Sequence, residues 1–354
     1  MGILDSALAT KGMNAAVKLK ILRRHMYAFI RHMTLKKLMN FIKAERDRLG
    51  KKTVVSSLPY ILKVEPSNIC NLHCAYCYDD RRQPLPGERP YGRMSFENFK
   101  NLIDEVGEYL FKINLYGFGE PWLFPETLEM IEYATKHNIG VGVSSNMNFK
   151  DASLPRRIVA SNLEVLIFSC HGVSREAYSR FMGKGDPDLA LSNLALVIEE
   201  RRRLRSKTPL IDWQYCVTGF NEAEIDQAAA KAKELGVDQI RFIKPFFPEN
   251  APDEWFSSMF PRQTMTHEAE PSPGCSWVYR SAYVNYDGGL LPCCRDFRVM
   301  ANDFGNVFTD GLEAIWNNEK YQAARALIKN PKNAPNPQSL MCARCPVVTT
   351  VRKT

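Results

Sequence analysis

From residue 60 onward the sequence predicts an α/β fold built on a parallel sheet with right-handed crossovers. Short apolar runs of strand length alternate with amphipathic stretches of helix length through six βα units. The 354 residues suit one large domain with a small appendage, and 45% apolar with 24% charged content is ordinary for a soluble globular chain. Ten cysteines, without an apolar signal core at the N-terminus, argue for metal ligation in a reducing compartment and against a disulfide scaffold. Cytoplasm is therefore the expected location, and no apolar run is long enough to span a bilayer.

The predicted strands are 60–65, 113–116, 140–144, 165–169, 210–217 and 239–243. Between them fall predicted helices from Ser95 to about residue 112, at 125–137, at 154–161, within 174–204 and at 222–235. Ser95 is the cap of the first, with Asn98 in place of the usual Glu of a capping box. The Pro/Gly/Arg-rich stretch 81–92 is a loop, and 246–274, rich in Pro and Glu, reads as a linker. Beyond it lie a hairpin over 282–291 around Asp287-Gly288-Gly289, a short helix near 312–328 and a second set of cysteines. The chain thus divides into an extension 1–58, a core 59–245, the linker 246–274 and a small domain 275–354.

The net charge of +8 is local. Residues 1–60 hold 13 Lys and Arg against Asp5, Glu45 and Asp47, so this end carries +10 and the rest sums to −2. Residues 13–49 read as one basic amphipathic helix, with Val17, Leu19, Leu22, Met26, Phe29, Ile30, Met33, Leu38 and Phe41 at three- and four-residue steps. Such a helix packs its apolar face on the main domain most commonly. It also suits peripheral contact with the anionic inner face of a membrane. Nucleic acid ranks last, because aromatic interleaving and a known RNA-binding motif are both missing.

The densest chemistry follows the first strand: Cys70, Cys74 and Cys77 in a C-x3-C-x2-C loop, with Tyr76 before the last cysteine. Three close thiolates suit a soft metal or an iron–sulfur cluster, and no fourth cysteine lies nearby. This loop resembles the signature of the radical S-adenosylmethionine (radical SAM) superfamily. One βα unit later, Gly117-Phe118-Gly119-Glu120-Pro121 resembles that family's GGEP motif, with Phe118 replacing a glycine. The resemblance implies a partial (βα)6 TIM-like barrel and a [4Fe-4S] cluster on Cys70, Cys74 and Cys77 whose open iron binds SAM. It places Tyr76, Gly117, Gly119 and Glu120 at the SAM site, with Glu120 and a turn carbonyl receiving the SAM ammonium. Ser144, Ser145 and Asn146 stand where the family holds the SAM carboxylate or ribose, and Ser169 ends the fourth strand beside them. His171 occupies a position where the family often has Asp, and is either a substrate contact or proton carrier or a structural histidine. Lys244, ending the sixth strand, is a weaker candidate for an anionic group, and Cys170 and Cys216 read as core residues.

Cys275, Cys293, Cys342 and Cys345 can complete a second cluster or hold zinc. Their spacing, with Gly288 five residues before Cys293, resembles the SPASM/twitch extension of radical SAM proteins and implies an auxiliary [4Fe-4S] cluster. Cys294 is an alternative to Cys293 as ligand. A further run of cysteines for another auxiliary cluster is missing. The implied activity is reductive cleavage of SAM, driven by a ferredoxin- or flavodoxin-type donor, with hydrogen abstraction from an unactivated C–H. A single auxiliary cluster favours oxidation or epimerisation of a sugar-like or lipid-linked small molecule. The alternative is a peptide- or protein-modifying maturase, which usually brings a winged-helix recognition segment that residues 1–60 do not display. A non-catalytic metal-binding protein or electron carrier is the alternative of another class.

Overall fold

The computed structural model describes residues 28–77, 84–245, 247–248, 250–260, 262, 275–332, 334 and 339–353. Six strands follow one another in sequential, all-parallel order: β1 (Ile61–Val64), β2 (Lys112–Leu115), β3 (Gly140–Ser145), β4 (Val165–Ser169), β5 (Leu210–Cys216) and β6 (Gln239–Ile243). Sequential order with right-handed crossovers puts every crossover helix on one face, so the other face curls inward as in a barrel. Each apolar run in the sequence marks its strand to within one residue, and the first five strands are buried on both faces.

The crossovers are α2 (Phe96–Val106), α3 (Glu126–Lys136), α4 (Leu154–Ala160), α5 (Arg175–Met182), α6 (Pro187–Arg203) and α7 (Ile225–Leu235). Ser95 caps α2 by accepting from the Asn98 amide at 3.1 Å, and Asp186 caps α6 just ahead of Pro187 at its first position. The apolar positions of α2, namely Phe99, Leu102, Ile103 and Val106, recur at three- and four-residue steps and all face the sheet.

The barrel does not close. β1 leaves β6 unpaired and takes a parallel partner from the C-terminal region instead, β7 (Ser281–Val284), in the register Ile61↔Ser281 to Val64↔Val284. β8 (Gly289–Leu291) and β9 (Gly305–Asn306) continue antiparallel, giving one nine-stranded sheet. The small domain is therefore an extension of the core sheet rather than a separate body. Cys275 precedes β7 across the short helix α8 (Trp277–Arg280), and the expected helix near 312–328 is two, α9 (Leu312–Trp316) and α10 (Glu319–Lys329). The break comes at Asn317 and Asn318. Asn318 caps α10, while Asn317 exchanges hydrogen bonds with the Val55 backbone at 3.0 and 2.9 Å.

At the N-terminal ends of the strands an aromatic cluster plugs the barrel. Phe29 stacks on Phe111 at 3.8 Å, and Phe41 meets Tyr60 edge-on at 5.3 Å. The single helix expected over 13–49 is interrupted at residues 32–34, where Thr34 caps a new helix, α1 (Leu35–Leu49). Residues 13–27 lie outside the described residues. Arg280 ties this helix to β7 through Glu45, with Arg280 Nη2 donating to Glu45 Oε2 at 2.7 Å.

The loop that follows the first cysteine set is bolted to the small domain by Arg89. Its guanidinium is buried, grips Asp303 at 2.7 and 2.8 Å and pairs with Asp287. Removing one partner of a buried pair leaves the other charge without compensation. Arg89→Ala is expected to lower unfolding stability by about 3–5 kcal/mol, and Arg89→Lys to recover little of it, because an ammonium cannot make the two-pronged contact. Equal denaturation midpoints for wild type and Arg89→Ala would disprove that role.

Candidate active site

The C-terminal end of β1 leads through Glu65, Ser67 and Ile69 into the cysteine loop. That loop has one buried apolar anchor, Leu72, and is otherwise held by hydrogen bonds. Asn71 Nδ2 donates to the Asn148 carbonyl at 2.6 Å, and Ala75 N donates to the Phe181 carbonyl at 2.9 Å. Cys77 N closes a turn on the Cys74 carbonyl at 3.1 Å, which sets Tyr76 at φ +60°. The Tyr76 ring then packs against Trp255 and Phe247, centroids 4.9 and 5.2 Å away. Burial raises the Cys74 thiol pKa, and the neighbouring Cys77 and Cys70 raise it further.

The second set is shifted likewise. Burial raises the thiols of Cys275, Cys293 and Cys342, and Cys345 adds to the rise in each of the three. Cys342 feels Cys293, Cys275 and Cys345, while Cys293 also feels the exposed Cys294 beside it. Among the described residues, no three Cys, His, Asp or Glu side chains converge as they would on a single metal ion. A cubane asks for something else, because each thiolate binds a separate iron and the sulfurs stand apart. Both donor sets, all-thiolate and grouped, fit that requirement. The sets lie at opposite ends of the β1–β7 pair: the first follows Val64, while the second precedes Ser281 and follows Leu291.

The glycines of the 117–121 turn have a structural reason. A Cβ on Gly117 would strike the Glu65 carboxylate, and one on Gly119 would strike the Ser67 and Ile69 carbonyls. The turn thus lies hard against the segment entering Cys70, and only glycine permits that approach. Phe118 stacks on Phe297 of the small domain at 4.3 Å.

Glu120 Oε1 accepts from Ser145 Oγ at 2.8 Å and from Trp122 N at 3.3 Å, and its Oε2 accepts from Asn146 N at 2.8 Å. Buried and committed to three donors, it braces the end of β3, and the Gly117–Gly119 backbone beside it is half-buried. Asn146 in turn donates to Asn71 Oδ1 at 3.0 Å and lies 3.8 Å from Cys70 Sγ. Ser144 and Ser169 share a hydrogen bond at 3.0 Å and are half-buried at adjacent strand ends, a hydroxyl pair open to a polar ligand.

His171 is buried and held from both sides. Its Nδ1 accepts from the Cys216 amide at 3.2 Å, its ring packs on Phe181 at 4.5 Å, and Asn221 Nδ2 holds its carbonyl at 2.7 Å. Burial lowers its pKa to about 4, so it stays neutral and carries no proton near pH 7. Cys170 and Cys216 are buried core residues, as expected. Lys244 stands at the exit of β6 beside Val217, Phe247, Trp255 and Phe256.

Those aromatics belong to the stretch that reads as a linker. Residues 250–260 instead form a strap across the mouth, where Trp255 meets Phe247 at 5.3 Å, Phe220 at 4.9 Å and Tyr76. Phe247, Trp255 and Phe256 are the signal for it, outweighed in the sequence by the surrounding prolines.

Glu65, beneath the 117–121 turn, was outside the expected site. Its Oε1 accepts from Phe118 N at 2.9 Å and from the Tyr283 hydroxyl at 3.3 Å, and its Oε2 has no hydrogen-bond partner among the described residues. Burial pushes its pKa from 4.5 up to about 7. Between those values the unfolded chain has released the proton that the folded chain keeps, so stability falls as pH rises across the window, by about 3 kcal/mol for this residue. Glu65→Gln keeps the acceptor and removes the ionisation. Its stability relative to wild type is expected to climb between pH ~4.5 and ~7 and then level off; a difference independent of pH would sink this reading.

A family model of the radical SAM superfamily matches residues 64–243, and one of the SPASM iron-sulfur cluster-binding domain matches residues 275–346. The tungsten-containing aldehyde ferredoxin oxidoreductase cofactor-modifying protein of Pyrococcus furiosus is 20% identical over 303 residues, 76% of this chain and 84% of that protein. Mycofactocin maturase MftC of Mycobacterium tuberculosis is 32% identical over 182 residues, 50% of this chain and 43% of MftC, so less than half of that relative is spanned. The crystal structure of Streptococcus suis SuiB bound to S-adenosylmethionine shares the fold, with a TM-score of 0.61, 92% of this chain and 77% of SuiB covered, and 14% identity. With both domains matched in order, the chain belongs to the radical SAM superfamily and carries a C-terminal SPASM domain, and its cofactors are SAM, a SAM-binding [4Fe-4S] cluster and an auxiliary cluster.

Proposed function

We propose that this enzyme is a peptide- or protein-modifying maturase. The open flank of the barrel carries the reading. β6 is an edge strand, half-buried along its whole length, and the aromatic strap crosses the mouth beside it. A barrel left open on one side admits a segment of a longer chain, because its backbone can lie along an unpaired strand edge. Support comes also from the relatives named as a mycofactocin maturase and a subtilosin biosynthesis protein, AlbA of Bacillus subtilis, the latter 21% identical over 77% of this chain and 64% of AlbA. Oxidation or epimerisation of a sugar-like or lipid-linked molecule, the first expectation, has less behind it. A second reading, modification of a small cofactor, is favoured by the Pyrococcus relative, which this chain matches over most of both lengths.

The chain's own residues fill defined parts in this proposal. Cys70, Cys74 and Cys77 would hold the SAM-binding cluster, and Cys275, Cys293, Cys342 and Cys345 the auxiliary one. Ser144, Ser169 and Asn146 would orient SAM, while Tyr76, Phe247 and Trp255 keep water from the reacting C–H. Bound together, cluster and SAM supply a 5′-deoxyadenosyl radical for hydrogen abstraction. A ferredoxin- or flavodoxin-type donor would supply the electron.

Anaerobic reconstitution with iron counting tests the ligand assignment. About eight irons are expected in the wild type and about four in the Cys70/Cys74/Cys77→Ala variant; about four in the wild type would leave the second set without a cluster. For the substrate, the reconstituted enzyme with reductant and SAM is given a deuterated short peptide encoded beside its gene. Deuterium in 5′-deoxyadenosine, with a mass change in the peptide, is expected. SAM cleavage with no transfer from any such peptide, but with transfer from a small cofactor, would decide for the second reading.

A further inference from the structure

The helix α1 turns a mostly polar face toward the barrel bottom, with Phe41 at its margin joining the aromatic plug. Lys37, Asn40 and Asp47 are buried against the barrel bottom with Ala44. Lys37 Nζ donates to the Asn138 carbonyl at 2.6 Å, Asn40 exchanges hydrogen bonds with the Leu58 backbone at 3.0 and 2.9 Å, and Asp47 accepts from Ser56 N at 2.8 Å. These bonds fix the helix's rotation, because rolling it would strand each of the buried groups. Its apolar stripe consequently faces outward: Leu35 is 76% exposed, Leu49 71%, Met39 49% and Ile42 42%. Lys43 and Arg46 stand exposed along the same stripe.

We propose that α1 is a docking ridge for an anionic lipid surface. Three observations choose this occupant. A lone helix offers a convex ridge, which enters the headgroup boundary of a bilayer, whereas peptides seek grooves or sheet edges. The cations beside the stripe complement anionic headgroups. A second copy of the chain, set ridge to ridge, would bring like charges face to face, since residues 28–60 hold eight Lys and Arg against Glu45 and Asp47. Every anchor of α1 precedes a strand: Leu58 before β1, Asn138 before β3. The ridge therefore lies at the barrel bottom, remote from the mouth, and the inference stands independently of the substrate.

The test uses the full-length protein in vesicle flotation, with phosphatidylcholine alone or mixed with about a third phosphatidylserine. The wild type is expected to float with the mixed vesicles, less with phosphatidylcholine alone and less at high salt. Leu35→Gln/Met39→Gln/Ile42→Gln changes exposed side chains only and is expected to reduce flotation by roughly tenfold with the circular dichroism spectrum unchanged. Lys43→Glu/Arg46→Glu is expected to erase the preference for phosphatidylserine. Equal flotation of the wild type and the triple variant would overturn the proposal. So would failure of the wild type to float, whether it then self-associates through Leu35 and Met39 or retains an acidic peptide.

Discussion

β1 is the strand on which the rest depends, because it is paired in parallel on both edges. β2 on one side carries the 117–121 turn, and β7 on the other carries the small domain. A one-residue slip of either partner would turn its buried face to the wrong side, so the register is strongly specified. The four paired residues contribute about 13 Å of strand between the two cysteine sets. One strand thus fixes where the first set begins and how far the second can stand from it. The Arg89 and Arg280 ion pairs reinforce the same junction from above and below.

Around β1 the site is held by polar groups more than by apolar ones. Leu72 is the one fully buried apolar residue of the cysteine loop, with Cys70, Cys74 and Ala75 only partly buried against the core. Asn71, Asn146 and Asn148 replace that packing with hydrogen bonds, and Glu120 fixes Ser145 and Asn146 from beneath. Asn148 extends the network to the Tyr178 hydroxyl at 2.8 Å, and Asn193 clasps the Met147 and Phe149 carbonyls, each at 2.8 Å. Such a network is worth having only when complete, since each unsatisfied buried group costs about 1–3 kcal/mol. Short amide side chains suit it, having both donors and acceptors and few rotamers to freeze.

The strands were legible because burial on both faces leaves continuous apolar runs, and the cysteine loop because its spacing is specific. Orientation was harder. The periodicity of α1 does not show which apolar positions turn inward: Phe41 joins the aromatic plug, while Leu35, Met39 and Ile42 stay exposed opposite the buried Lys37 and Asp47. Glu120 and His171 have the right residue types at strand ends, yet the hydrogen bonds that hold them come from residues distant in the chain. The strap reads as a linker because its aromatic contacts, with Tyr76 above all, join positions far apart in the chain. The sequence pattern also separates two domains where β1 and β7 make one sheet, since parallel pairing across 200 residues leaves no local trace.

The two ends of the barrel together bear on the choice of substrate. The cysteine loop, the Ser144–Ser169 pair and the strap occupy the C-terminal ends of the strands, while α1 seals the N-terminal ends with Phe29, Phe41, Tyr60 and Phe111. A bilayer touching the α1 ridge would lie beneath the barrel, with the mouth turned away from it. A lipid-linked substrate in that bilayer would have to bypass the whole barrel to reach the strap. A peptide arriving from solution, or trailing from a partner, meets the open β6 edge without that detour. Membrane contact at the bottom and a polymeric substrate at the open flank are therefore compatible, whereas membrane contact and a lipid-linked substrate compete for geometry.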